Sequence, residues 1–414
     1  MLHISHSLII HTLMPASPAP PSYRWVMLAA LWLTYTGFGM VNASMAPLIT
    51  PICDDLGLSR SAMGLVLGAW AMVYIAAAIP SGTLLDRIGT PKGIAIGIFL
   101  IAASGFARAT AVDFFTLFIA VGIFGLGGPL MSVGAPKLIS QWFESKERGT
   151  AVGIYMTGPF IGTALSLASA NSVFMPLFDD SWRLTVTAFA VVSLISGFVW
   201  LAVAREPQAH AKSETAAHAG LKEFAPLLRV PVVQTVLLIA LAGFMFNHAV
   251  SNWLAEILRS RGLDAAAAGF WASVPTLVGI ISSLTIPRFA IGRRRVDILT
   301  ALYLCLLVAT LMLAFTDGIG LYTSLVLFGV ARIMGPILML VLMEAPGVES
   351  RNMGAATGLY FTVGEIGGVI GPVLVGITAD LTSGFRGGIL LLATLAAYLF
   401  CMTFVLRRVL EKSR

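Results

Sequence analysis

Along this chain, apolar residues run on for about twenty positions or more before short polar breaks interrupt them. About 20 residues of apolar helix cover the hydrocarbon core of a bilayer, so each run predicts a membrane span. Twelve runs are legible, near 25–50, 61–81, 93–111, 114–140, 149–172, 183–203, 230–257, 267–287, 297–316, 319–343, 354–379 and 387–406. Several exceed the minimum length, which permits tilt but fixes no angle. The polar segments divide the rest: a disordered tail over 1–23, a six-span half over 24–203, a linker over 204–229, a second six-span half over 230–406, and a tail over 407–414. The first residues lack a basic region before their short apolar stretch and make a poor signal peptide. The Pro-rich stretch after Met14 points to Met14 as the true start. A short amphipathic piece around Phe224, Leu227 and Leu228 is expected to lie on the membrane surface.

Composition agrees with the pattern. Of 414 residues, 57% are hydrophobic and 11% charged, where a soluble chain carries about 25% charge. Cys53, Cys305 and Cys401 lie in or beside separate runs, so neither a metal-ligand spacing nor a disulfide framework is expected. The net charge of +6 would admit a nucleic-acid partner, but the basic residues are spread over loops rather than gathered in a stripe. Counted by loop, 18 Lys and Arg fall on the side of the N-terminus. Six fall opposite: Arg60, Arg108, Arg183, Arg259, Arg261 and Arg386. This bias orients both termini toward the cytoplasm.

The two halves repeat. Gly149 to Tyr155 matches Gly354 to Tyr360, and Thr157 and Gly162 match Thr362 and Gly367, at an offset of 205. Gly128-Pro129 pairs with Gly335-Pro336, Gly57-Leu58-Ser59 with Gly262-Leu263-Asp264, and Gly37-Phe38 with Gly243-Phe244. Two parallel six-helix repeats with a site between them is transporter architecture.

The stretch Gly82 to Lys92, with Asp86, Arg87 and Gly89, resembles the loop signature of the major facilitator superfamily. Trp142-Phe143 and Glu147-Arg148-Gly149 are similar to that superfamily too, above all to its organic-anion and cyanate-permease-like branches. The resemblance implies an all-α membrane protein, twelve helices in two pseudo-symmetric halves around a central cavity, in a bacterial inner membrane. It also implies a latch of Gly82, Asp86, Arg87, Gly89 and Arg148 that holds the cytoplasmic side shut, with Asp86 meeting the start of span 11 near Met353 and Gly354. From the residues alone, Asp86 is an anion at a helix end, able to cap a neighbouring helix or pair with Arg87 or Arg148; a solvated turn is the alternative. The matching loop of the second half, 287–295, lacks the acidic residue. Phe118 stands where many members carry an arginine. Gly158-Pro159 resembles a drug–proton antiporter motif, though glycine with proline more often means close packing and a kink, and Gly371-Pro372 reads the same way.

Two ionisable residues, Arg332 and Glu365, lie near the middle of apolar runs. Charge at that depth is paired, buried in protein, or functional. Arg332 is read as receiving an anionic substrate through its planar fork, or as forming an ion pair with Glu365. Glu365 is read as a proton carrier, with a permanent counter-ion as the alternative. His248 is the candidate for anion binding or proton relay, with Asn247 and Asn252 beside it and Asn42 at the matching place in span 1. Tyr35, Tyr155 and Tyr360 offer hydroxyls, and Trp70 and Trp271 offer cavity walls; packing and interfacial anchoring are their alternatives. Lys137 is expected to snorkel.

No phosphate loop, His-Glu-x-x-His pair, nucleophile elbow or dinucleotide fingerprint is present. The expectation is therefore no enzyme, cofactor or metal, and partners limited to an anionic substrate, protons and lipid, with a monomeric chain. The leading function is proton-coupled symport of a small organic anion, such as a carboxylate. An exporter of apolar or cationic drugs is the alternative, and a non-transporting sensor the alternative of another class.

Overall fold

A computed structural model describes residues 22–206, 224–290, 292, 294–349 and 352–412. No strand occurs among them, and 12 helical segments are long and apolar enough to cross a membrane. Span 1 covers Tyr23–Leu56, span 2 Arg60–Ile88, span 3 Thr90–Ala109, span 4 Phe114–Trp142, span 5 Ser145–Leu177 and span 6 Trp182–Val203. Span 7 covers Pro231–Ser260, span 8 Ala265–Phe289, span 9 Arg294–Phe315, span 10 Ile319–Met343, span 11 Met353–Leu381 and span 12 Arg386–Lys412. Both described ends of the chain lie on one face, called here the terminus face; the other is the far face.

The repeated tripeptides are helix starts. Gly57 (φ 63°) and Gly262 (φ 95°) take left-handed turns, which cost a glycine little. Two residues on, Ser59 accepts from the backbone N–H of Ala62, and Asp264 from that of Ala267. These side chains satisfy the open N–H groups of spans 2 and 8. Asp113 and Thr116 form a reciprocal cap that opens span 4.

Lipid offers no hydrophobic drive between helices, so spans associate by close packing through small residues. Span 1 lies on span 5 with Gly39 against the carbonyl of Pro159 and Gly158 against that of Trp32. Span 7 lies on span 11 with Gly367 against Leu241 and Gly371 against Met245. Both glycine-proline pairs therefore sit at packed interfaces. The two halves meet along spans 2 and 11 and along spans 5 and 8. Ile119, Phe198, Phe270 and Ile281 project outward, each more than half exposed, as a bilayer-facing surface requires.

Four features depart from the expected pattern. Residues 407–412 are not a separate tail but continue the last helix. Phe224–Leu227 is a single helical turn, with Leu227 buried in the core beside span 11 while Leu228 is exposed. Span 1 breaks after Ala43 into a tight turn over Ala46–Leu48. Span 10 breaks between Ala331 and Met334, because Pro336 has no N–H to give the carbonyl of Arg332. The expected disordered tail, the Met14 start and most of the linker lie outside the described residues.

Candidate functional site

Irregular backbone at membrane depth is tolerated where it is buried in protein or lines a cavity. The break in span 10 does the latter. Arg332, Ile333, Met334, Gly335 and Pro336 line a cavity of about 480 Å³, within the usual range for a small-molecule site. Spans 5, 7, 8, 9 and 11 complete its wall, and residues such as Val152, Leu284 and Pro287 extend it toward the terminus face. The Arg332 side chain crosses the cavity rim against Gly279, and its guanidinium stands 5.9 Å from the Phe160 ring of the other half. Among the described residues it forms no ion pair. The expected bridge to Glu365 is absent: the two helices turn these side chains to different neighbours.

Glu365 instead faces His248, with Oε2 3.8 Å from Nε2. Both are largely buried, and Oε2 has no hydrogen-bond partner. A backbone glycine at 368 leaves room for the imidazole against span 11. The other face of the ring stacks on Trp70 of span 2, at 5.4 Å and 24°. The cluster therefore joins an acid and a base of the second half to an aromatic of the first, at the seam of spans 2, 7 and 11.

The remaining candidates separate. Asn247 and Tyr360 line the cavity; Asn247 is exposed there, while the Tyr360 hydroxyl donates to the carbonyl of Gly335 at 3.3 Å. Asn252 donates back to the carbonyl of His248 at 2.8 Å. Asn42 is exposed just before the break in span 1 and is not in the cavity wall. Tyr35 donates to Met131 at 2.8 Å and stacks edge-on with Tyr155, inside the first half. Trp271 stacks on Tyr322 at 4.1 Å, outside the cavity.

The latch residues also separate. Asp86 pairs with Lys137 of span 4, which therefore does not snorkel freely. Arg148 donates to the carbonyls of Phe143 and Ser140, closing the end of span 4 rather than meeting Asp86. Arg87 is exposed, Gly89 lies beside the Glu206 carboxylate, and Gly82 and Gly354 have nothing packed over them. Among the described residues, no hydrogen bond or ion pair links Asp86 to the start of span 11. In the second half Arg295 pairs with Glu344, at the end of span 10. This pair joins span 9 to the end of span 10, where Asp86–Lys137 joins span 2 to span 4, and the Arg295 guanidinium holds the Glu344 carboxyl below the usual carboxylate range.

The far face is tied across the halves. Asp380, ending span 11, accepts from the backbone N–H groups of Arg60 (3.1 Å) and Ser61 (2.8 Å), which begin span 2. Glu256 accepts from the Thr50 hydroxyl at 2.8 Å and is braced by Arg259 at 3.1 Å. Sequence reading passed over both acids, although Glu256 is an ionisable residue inside an apolar run. It also took Arg108 for a loop residue; it is buried and donates to Val41 (2.6 Å) and Ser44 (3.1 Å) at the break in span 1.

A family model described as the Major Facilitator Superfamily matches residues 27–372. The hexuronate transporter of Bacillus subtilis is 25% identical over 84% of this chain and 86% of its own. A probable galactarate/D-glucarate transporter from the same organism is 25% identical over 94% of both. Among solved structures, a bacterial homologue of the human lysosomal transporter Spinster, inward-facing and unoccupied, superposes with a TM-score of 0.76 at 16% identity. That match covers 96% of this chain and 99% of that one.

Proposed function

The chain belongs to the Major Facilitator Superfamily, and from that premise we propose that it carries a small organic anion across a bacterial inner membrane, with a carboxylate received by Arg332. The observation that carries this reading is a guanidinium without a carboxylate partner among the described residues, on the wall of a 480 Å³ cavity at a helix break. Sites near the midplane on discontinuous helices are the usual place for a transported solute. The relatives named for hexuronate and for galactarate/D-glucarate carry acids, which supports an anion. A cationic drug is disfavoured by the same arginine.

The halves 24–203 and 230–406 rock about the cavity, and the terminus face is the cytoplasmic one, as the loop charges require. With its far face tied and its cavity toward the termini, the conformation is the inward-open one. Glu365 and His248 form the proton site: the unbonded carboxylate oxygen lies 3.8 Å from the imidazole nitrogen, so a small approach lets a proton pass between them, and Trp70 makes their arrangement depend on the position of the other half. Binding to purified protein tests the anion reading. Arg332→Lys keeps the charge but loses the planar fork. Losing a charge-assisted hydrogen bond costs about 1.5–3 kcal/mol, so affinity for a carboxylate should fall roughly 10- to 150-fold. Unchanged affinity would overturn the assignment.

A further inference from the structure

The polar inventory of the cavity is short. Six of its wall residues carry side chains that hydrogen-bond: Thr157, Asn247, Ser283, Tyr303, Arg332 and Tyr360. Three of these have their donors spent inside the protein. The Thr157 hydroxyl donates to Ile154 and accepts from Trp32, that of Ser283 donates to Ile280, and that of Tyr360 to Gly335. Of the side-chain donors, one guanidinium, one amide and one phenol are left, and the Arg332 carbonyl freed at the break adds a main-chain acceptor. The rest of the surface is apolar, including Met156, Phe160, Phe244, Phe246, Phe328 and Met334.

The first half holds little in reserve. Tyr35 is committed to Met131 and Tyr74 to Ser132 within that half, Trp32 gives its N–H to Thr157, and Tyr155 keeps a hydroxyl that has no hydrogen-bond partner among the described residues. Closing the halves over a solute therefore adds aromatic surface and few donors.

From this we infer that the transported anion is a monocarboxylate with an apolar body of aromatic or branched-chain size, not a polyhydroxylated sugar acid. The inference rests on Arg332 receiving the carboxylate. A hexuronate or aldonate brings four or five hydroxyls besides its carboxylate. Each one desolvated without a partner costs about tenfold in affinity, and Asn247 and Tyr303 cannot serve them all. A second carboxylate would have no second cation in this wall. An apolar body suits the same wall: with its carboxylate on the guanidinium, an aryl group lies against Phe160, 5.9 Å from that cation, and among the phenylalanines of spans 7 and 10.

Thermal-shift titration of the purified full chain tests this with three probes: phenylacetate, phenylacetamide and D-glucuronate. A ligand that binds only the folded state raises the melting temperature in proportion to its saturation. The expected result is half-saturation by phenylacetate at least tenfold below that of D-glucuronate, with phenylacetamide at least tenfold weaker than its acid. D-glucuronate within tenfold of phenylacetate, or tighter, would overturn the apolar-body inference and leave the carboxylate reading standing. Phenylacetamide equal to phenylacetate, or no shift with either acid, would overturn the carboxylate reading beneath it. Arg332→Lys ties the effect to the site and should weaken phenylacetate at least tenfold; an unchanged titration overturns the assignment. If that variant does not fold, the amide probe makes the same decision on the unmodified protein.

Discussion

A charge in the middle of a bilayer costs roughly 2.5–3.5 kcal/mol on insertion scales, and the chain carries both Arg332 and Glu365 at that depth without pairing them. Each was legible in the sequence as an exception within an apolar run. Their partners were not, because run length gives the depth of a residue but not the rotation of its helix. The structure turns Arg332 to the cavity and Phe160, and Glu365 to His248. Trp70, proposed from sequence as a wall, stacks on His248 from across the seam. If the Glu365 carboxyl carries the coupled proton, Glu365→Gln should abolish accumulation driven by a pH gradient while leaving exchange of substrate within about threefold of wild type. Proteoliposomes with and without an imposed gradient measure this. A mutant that still accumulates substrate in response to the gradient would remove Glu365 from the coupling path.

At the scale of elements, the twelve spans were readable because bilayer thickness sets a length that apolar runs must meet. The breaks were harder. Gly335-Pro336 was visible only as half of a repeat, and its consequence, a missing hydrogen bond to Arg332, depends on where the helix already runs. The joints between elements were misread for a related reason. The second-half loop, which lacks an acid, pairs its Arg295 with Glu344 at the end of span 10, whereas in the first half the acid is Asp86 of span 2 and the cation Lys137 of span 4. Because the Glu344 carboxyl is held below its usual range, that pair is intact at neutral pH. It is lost only as pH falls through the lowered folded-state value. Asp86→Lys alone should lower the melting temperature by a few degrees, and Asp86→Lys with Lys137→Asp should restore it. If Asp86 also caps span 11 when the terminus face closes, transport by the swapped protein should stay depressed, since a cation cannot cap a helix N-terminus. Full recovery of transport by the swap would make Asp86 a joint within its half and nothing more.

At the scale of the molecule, the far face is held by acids that reach across the halves, Asp380 onto the start of span 2 and Glu256 onto Thr50. The sequence repeat made two halves legible, but contacts between halves follow no repeat and left no trace in the spacing. A mutation shifts a two-state equilibrium only by its differential effect on the two states. Asp380 is partly solvated, which weakens its hold, so Asp380→Asn should raise far-face accessibility several-fold. A cysteine placed at Ser260, in a background lacking Cys53, Cys305 and Cys401, reports this to an impermeant thiol reagent; an unchanged labelling rate would mean that Asp380 does not gate. Whether a carboxylate crosses by way of Arg332 is read out by counterflow in proteoliposomes. Vesicles preloaded with phenylacetate or D-glucuronate are given the same acid in labelled form, with wild-type protein or Arg332→Lys. Carboxylate transport by way of Arg332 requires saturable uptake of labelled phenylacetate by wild type and at least a tenfold loss in the variant. Uptake that is equal in the two proteins, or absent from wild type with both acids, would contradict it.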